Sequence, residues 1–136
     1  MSLLDQAPIA RRTMTVFFLV DTSGSMAGNK IGAVNSVIRE IFPILDGISS
    51  KNADAEIKIA FLRFSSGTEW LYNEPKPAQD VANSFIDFEA SGLTDLGEAC
   101  LELNSKLSRN AFMQSASGSF APVVILLTDG IPTDNF

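Results

Sequence analysis

The chain predicts an α/β fold: a mostly parallel central sheet flanked by helices. Three observations carry this. Met14–Val20 is a near-continuous run of apolar residues, many of them β-branched or aromatic, and Pro122–Thr128 (PVVILLT) is a second apolar run. Runs of this kind belong to strands buried on both faces, as in parallel sheets. Between them, apolar residues at Ile31, Val34, Ile38, Ile41 and Leu45 recur in steps of three and four, which is one face of a helix. Buried strands alternating with amphipathic helices imply a layered α/β domain.

Taken in order, residues 1–12 read as a loose leader and 13–136 as the domain. The strand Met14–Val20 runs into an Asp-Thr-Ser-Gly-Ser turn. The helix from Lys30 to about Leu45 follows, and Pro43 is expected to kink or end it. A polar loop leads to Glu56–Phe64 (EIKIAFLRF), a second strand whose alternating start suggests a sheet edge. A short third strand is expected around Glu69–Tyr72, with Trp70 and Tyr72 packing against neighbours. A Pro-punctuated loop comes next, then a short helix over Ala78–Phe85. A further helix starts near Asp95, with Leu96, Cys100, Leu103 and Leu107 on one side, so Cys100 reads as a small core residue. The fourth strand, Pro122–Thr128, is expected to be fully buried and ends in a second acidic turn, DGIPTD.

Composition narrows the function. The 136 residues suit one domain, and at 46% hydrophobic and 19% charged they can bury a core. The net charge of −6 argues against nucleic acid, whose backbone needs clustered Lys and Arg, and mildly favours a cation as ligand. There is one cysteine and no histidine. That removes an internal disulfide, His-dependent nucleophilic catalysis and His-ligated zinc. Any metal should be hard and oxygen-bound. The N-terminus lacks a signal-peptide layout and no apolar run reaches a membrane span. The expectation is a soluble, cytoplasmic protein with no membrane partner.

The two acidic turns are the candidate site. In open α/β sheets, ligands bind beyond the carboxyl ends of the strands. Asp21 and Asp129 each follow an apolar strand directly, so neighbouring strands would bring both carboxylates to one rim. Two carboxylates in a partly buried place repel and need a cation or a proton to coexist. Ser23 and Ser25, two apart, can aim both hydroxyls the same way. Few charges and several neutral oxygens suit Mg²⁺, which keeps water and leaves room for an outside ligand.

The stretch DTSGSM resembles the DxSxS motif of von Willebrand factor type A domains. SGLTDLGEA resembles that family's second loop and LLTDG its third, in the family's order. The resemblance covers roughly residues 13–136 and implies a Rossmann-like fold with a metal-ion-dependent adhesion site. It implies that Ser23 and Ser25 coordinate Mg²⁺ or Mn²⁺ directly. Asp21 and Asp129 would often act through water, and Thr94 in either way. The vacant position would then take a Glu or Asp carboxylate of a partner protein. The flavour is similar to bacterial cytoplasmic members linked to tellurite resistance. Members of the family usually continue with another helix, two strands and a final helix. The chain therefore reads as a domain truncated after its fourth strand: a truncation, a cleaved product, or a chain that pairs with itself or another through the exposed edge.

Plainer roles exist for each residue. Asp21 and Asp129 could cap helices, as could Thr94 with Glu98 nearby. Asp95, Glu98 and Asp134 read as solvated or dipole-compensating acids. A phosphoryl-transfer enzyme of haloacid-dehalogenase type is the alternative function. It wants a second Asp where Ser23 stands, and with no evident base of perturbed pKa the reading is not an enzyme. A P-loop fails because Asn29 separates Gly28 from Lys30 and Ile31 follows the lysine. Removing the Asp21 carboxylate is expected to abolish metal binding and leave the fold largely intact.

Overall fold

The structure, a computed structural model, describes residues 12–51, 55–107 and 120–129. Its strands are β1 (Arg12–Asp21), β2 (Ala55–Ser65), β3 (Gly67–Trp70), β4 (Lys76–Pro77) and β5 (Val123–Leu127), and its helices are α1 (Asn29–Lys51), α2 (Ala78–Ser84) and α3 (Leu96–Lys106). Of the expected leader only Arg12 is described, and it opens β1.

β1 lies between β2 and β5 and pairs with both in parallel. β3 and β4 pair with β2 in antiparallel fashion. The sheet is therefore mixed, with its parallel part at the centre, and the order is β3–β2–β1–β5. β1 is apolar from Val16 to Val20, the stretch covered on both faces. Its period-two alternation sends Val16, Phe18 and Val20 toward α1 and α2, and Phe17 and Leu19 toward α3. β2 divides likewise: Ile57, Ile59 and Phe61 on the α1 side, Ala60, Leu62 and Phe64 on the α3 side. Trp70 packs edge-on against Phe17, ring centroids 6.2 Å apart, and donates its indole N–H to Glu102 at 2.7 Å. Tyr72 packs on the α1-side core, so both aromatics pack as expected, but β3 ends at Trp70 and leaves Tyr72 outside the strand.

Three expectations are corrected. α1 passes through Pro43 and ends at Lys51. Pro43 lies on the exposed side of the helix, next to buried Phe42, so the carbonyl that loses its partner can be solvated. Cys100 is exposed and not a core residue. α3 turns Leu96, Ala99 and Leu103 inward, and Cys100 stands one position, about 100° of helical rotation, beyond Ala99. β5 is not fully buried: Val123, Val124 and Leu126 are 41%, 44% and 45% exposed. Among the described residues β1 is its one strand partner.

The segment between α2 and α3, residues 85–95, carries no helix or strand but is firmly tied. Phe85 and Phe88 are buried in the aromatic cluster around Phe61. Asn35 of α1, buried within the apolar stripe, clamps Phe88 twice: Nδ2 donates to the Phe88 carbonyl at 3.0 Å, and Oδ1 accepts the Phe88 N–H at 2.8 Å. A buried amide satisfied by backbone on both sides fixes a loop as a ladder fixes a strand.

Candidate metal centre

Register brings the carboxyl ends of three strands level. Asp21 stands opposite Phe64 of β2, and one step past the Val20–Leu127 pair stands Thr128. Thr128 Oγ1 donates to Asp21 Oδ2 at 2.7 Å. The other oxygen, Oδ1, accepts the Ser23 N–H at 2.9 Å and the Ser23 hydroxyl at 2.6 Å. Asp21 is 0% exposed, so a carboxylate is held in the core rim by three donors from two loops. It caps no helix: α1 begins only at Asn29.

The turn after β1 is one 3₁₀ turn over Gly24–Met26, pinned by buried Met26. It places Ser23 Oγ 3.1 Å from Ser25 Oγ. Ser23 is buried and Ser25 exposed, so the hydroxyl pair runs from the interior to solvent. The second loop is stitched to the first through backbone: Gly24 N–H donates to the Gly92 carbonyl at 2.9 Å, and Ser91 N–H to the Thr22 carbonyl at 2.7 Å. Thr94, two residues on, is buried at 3% exposure. The N-cap of α3 is Asp95, whose side chain makes no capping bond. Instead Asp95 Oδ2 accepts the Gly67 N–H at 2.7 Å, which ties the loop to the β2–β3 turn and corrects the view of Asp95 as a merely solvated acid. Asp129 has a side chain 8% exposed, and its Oδ2 lies 3.5 Å from Lys30 Nζ. Glu98 is exposed on α3, while Asp134 lies outside the described residues.

All five candidate residues, Asp21, Ser23, Ser25, Thr94 and Asp129, thus sit on three loops at one end of the sheet. Hydrogen bonds link Asp21, Ser23 and Ser25 to one another and, through Thr128, to the third loop. Sequence reasoning missed Thr128, Thr22 and Gly92. Thr22, 0% exposed, anchors the first loop by donating its N–H to the Phe64 carbonyl at 2.9 Å. Thr128 stands beside Asp129 in LLTDG, but only the β1–β5 register shows that it faces Asp21.

The donor set fits a hard divalent cation. It is all oxygen, with neutral hydroxyls outnumbering the two carboxylates, and among the described residues no three Cys, Asp or Glu side chains gather at a possible cation site, at this rim or away from it. Two neighbouring ligands of an octahedral Mg²⁺, each about 2.1 Å from the metal, stand about 3.0 Å apart. The Ser23–Ser25 hydroxyl separation is 3.1 Å.

Gly92 holds the second loop in a backbone conformation that glycine adopts without strain. Its φ is +86°, and a Cβ there would lie 2.8 Å from Ser66 Oγ, the oxygen that accepts the Leu93 N–H. Gly92→Ala is expected to cost about 1–3 kcal/mol from the left-handed backbone and the displaced Ser66. Denaturant unfolding measures it, and a loss under about 0.5 kcal/mol would mean the loop adapts freely.

The von Willebrand factor type A domain profile matches residues 15–136. The chain is 34% identical over 135 residues to human inter-alpha-trypsin inhibitor heavy chain H4, a match that covers 93% of this chain and 14% of that protein. The chain therefore spans about a seventh of that relative's length. Among solved structures it is similar to the pilus adhesin SpaC of Lactobacillus rhamnosus GG (TM-score 0.65, 20% identity, 91% of this chain and 16% of that one). It is also similar to proximal thread matrix protein 1 of the mussel byssus with a zinc-occupied MIDAS motif (TM-score 0.60, 21% identity, 92% of this chain and 30% of that one), and to VWA2 of Sulfolobus acidocaldarius (TM-score 0.59, 22% identity, 93% and 30%). At these identities the structural likenesses establish the fold.

Proposed function

The chain belongs to the von Willebrand factor type A domain family, and on that premise we propose that it is a metal-dependent protein-binding module and not an enzyme. Ser23 and Ser25 would hold Mg²⁺ or Mn²⁺ directly, with Asp21, Thr94 and Asp129 completing the charge and the hydrogen bonding around it. The metal would supply Lewis acidity to which a Glu or Asp carboxylate of a partner protein binds. The observation that carries this reading is the Ser23–Ser25 hydroxyl pair, held at 3.1 Å by a buried Asp21 and open to solvent on the Ser25 side. A zinc-occupied motif in a structural neighbour of the same fold supports a divalent ion as the ligand. The chemistry works equally in the cytoplasmic, tellurite-linked setting that the sequence flavour suggests and in an adhesive one.

The haloacid-dehalogenase alternative gains nothing from the geometry, because Ser23 in the acid/base position has no carboxyl and donates its hydroxyl hydrogen bond to Asp21. The test is calorimetric titration of Mg²⁺ and Mn²⁺ into the wild type and a Ser23→Ala, Ser25→Ala double variant. Saturable heat in the wild type that disappears in the variant is the expected result. Equal heat in both would place the metal elsewhere, and turnover of a generic phosphomonoester would favour the enzyme.

A further inference from the structure

Two carboxylates meet at this rim, Asp21 and Asp129, and Asp21 is satisfied by three donors. Asp129 is paired differently. Its side chain is nearly buried, at 8% exposure, while the Lys30 side chain is 57% exposed. Lys30 is the second residue of α1, and its ammonium reaches in from solvent to within 3.5 Å of Asp129 Oδ2. It does so across an open cleft of about 390 Å³ between α1 and β5, lined by Met26, Val34, Leu126 and Leu127. The cleft leaves the lysine room to swing out again.

We propose that Lys30 is a built-in monovalent competitor of the divalent cation: its ammonium neutralises Asp129 in the metal-free protein and must leave when the metal binds. This rests on the metal-binding reading above. A dication and an ammonium sharing one carboxylate repel at short range, so the observed metal affinity includes the loss of the Lys30–Asp129 pair. Lys30 therefore sets that affinity below what the oxygen ligands alone would give. Because the lysine end of the pair is largely solvated, the pair is weak and the exchange is reversible. Lys30 tunes the site and is not itself a ligand.

The experiment is Mn²⁺ titration calorimetry on the wild type, Lys30→Met, which keeps an unbranched stem and removes the charge, and Lys30→Arg, with thermal melting of each in EDTA and in excess Mn²⁺. Lys30→Met is expected to bind Mn²⁺ about two- to fivefold more tightly and Lys30→Arg within about twofold of wild type. Lys30→Met should melt lower than wild type in EDTA but not in Mn²⁺. Mn²⁺ heat seen only in Lys30→Met would also support the competitor role, in its strongest form. Wild-type binding with equal or weaker affinity in Lys30→Met overturns the role of Lys30 and leaves the metal site standing. No Mn²⁺ heat in any of the three overturns the metal reading itself, and the competitor role with it.

Discussion

Asp21→Ala is expected to abolish saturable Mn²⁺ binding and to lower the metal-free stability by about 2 kcal/mol. Removal of the carboxylate strips a buried site of the acceptor for the Ser23 N–H, the Ser23 hydroxyl and the Thr128 hydroxyl. An orphaned buried donor costs about 1–3 kcal/mol, and the hydroxyls recover part of this by turning. Relief from burying a negative charge offsets another part. The sequence alone suggests a fold left largely intact. The geometry adds an expected loss of stability, because Asp21 also fastens the third loop to the first.

Asp21→Asn separates the two effects. Its amide oxygen can still accept both Ser23 donors, and its NH₂ can donate to Thr128, whose hydroxyl reverses from donor to acceptor. This variant should keep most of the stability and still lose most of the metal affinity. The measurements are urea unfolding in EDTA and Mn²⁺ calorimetry on both variants. Wild-type affinity in Asp21→Ala would overturn the assignment of the site. Equal stability of Asp21→Ala and wild type in EDTA would show that the three hydrogen bonds contribute nothing net.

The strand ends and the motif residues were legible because their signals are local. An apolar run that stops at an acidic residue marks the end of a buried strand, and Asp21, Ser23 and Ser25 lie within one turn of it. What was illegible depends on pairing between distant segments. Thr128 looked like the end of a strand until the register set it opposite Asp21. Asn35 sits beside Val34 on an otherwise apolar face, and nothing nearby in sequence shows that its partner is the backbone of Phe88, 53 residues away. Asp95 carries a charge that local rules assign to a helix start, yet its carboxylate serves the β2–β3 turn. The exposure of β5 is a question of neighbours: VVILL has the composition of a central strand, and composition cannot count how many strands lie beside it. Cys100 was misplaced by a single position, enough to turn a helical side chain from core to solvent.

Phe61→Ala should be the most destabilising single change to the core, at about 3–5 kcal/mol, a large share of the stability of a small domain. Phe61 is 0% exposed. It stacks on Phe18 with ring centroids 4.8 Å apart, meets Phe42 edge-on at 6.0 Å, and touches Phe85 and Phe88 at 5.7 and 5.9 Å. Truncation removes its share of four aromatic contacts, each worth about 0.5–1.5 kcal/mol beyond area burial, and leaves a void that rigid rings cannot fill. Because Phe85 and Phe88 begin the irregular segment that delivers Gly92 and Thr94, the loss should spread to the metal loops. Phe61→Leu, milder and expected to stay folded, tests that coupling. If the site is ordered from this cluster, the variant should bind Mn²⁺ more weakly than wild type, so saturating metal at a fixed concentration should raise its Tm by less. Equal Mn²⁺ affinity at reduced stability would mean that the aromatic cluster supports the sheet alone and that the Gly24–Gly92 and Ser91–Thr22 hydrogen bonds suffice to set the loops.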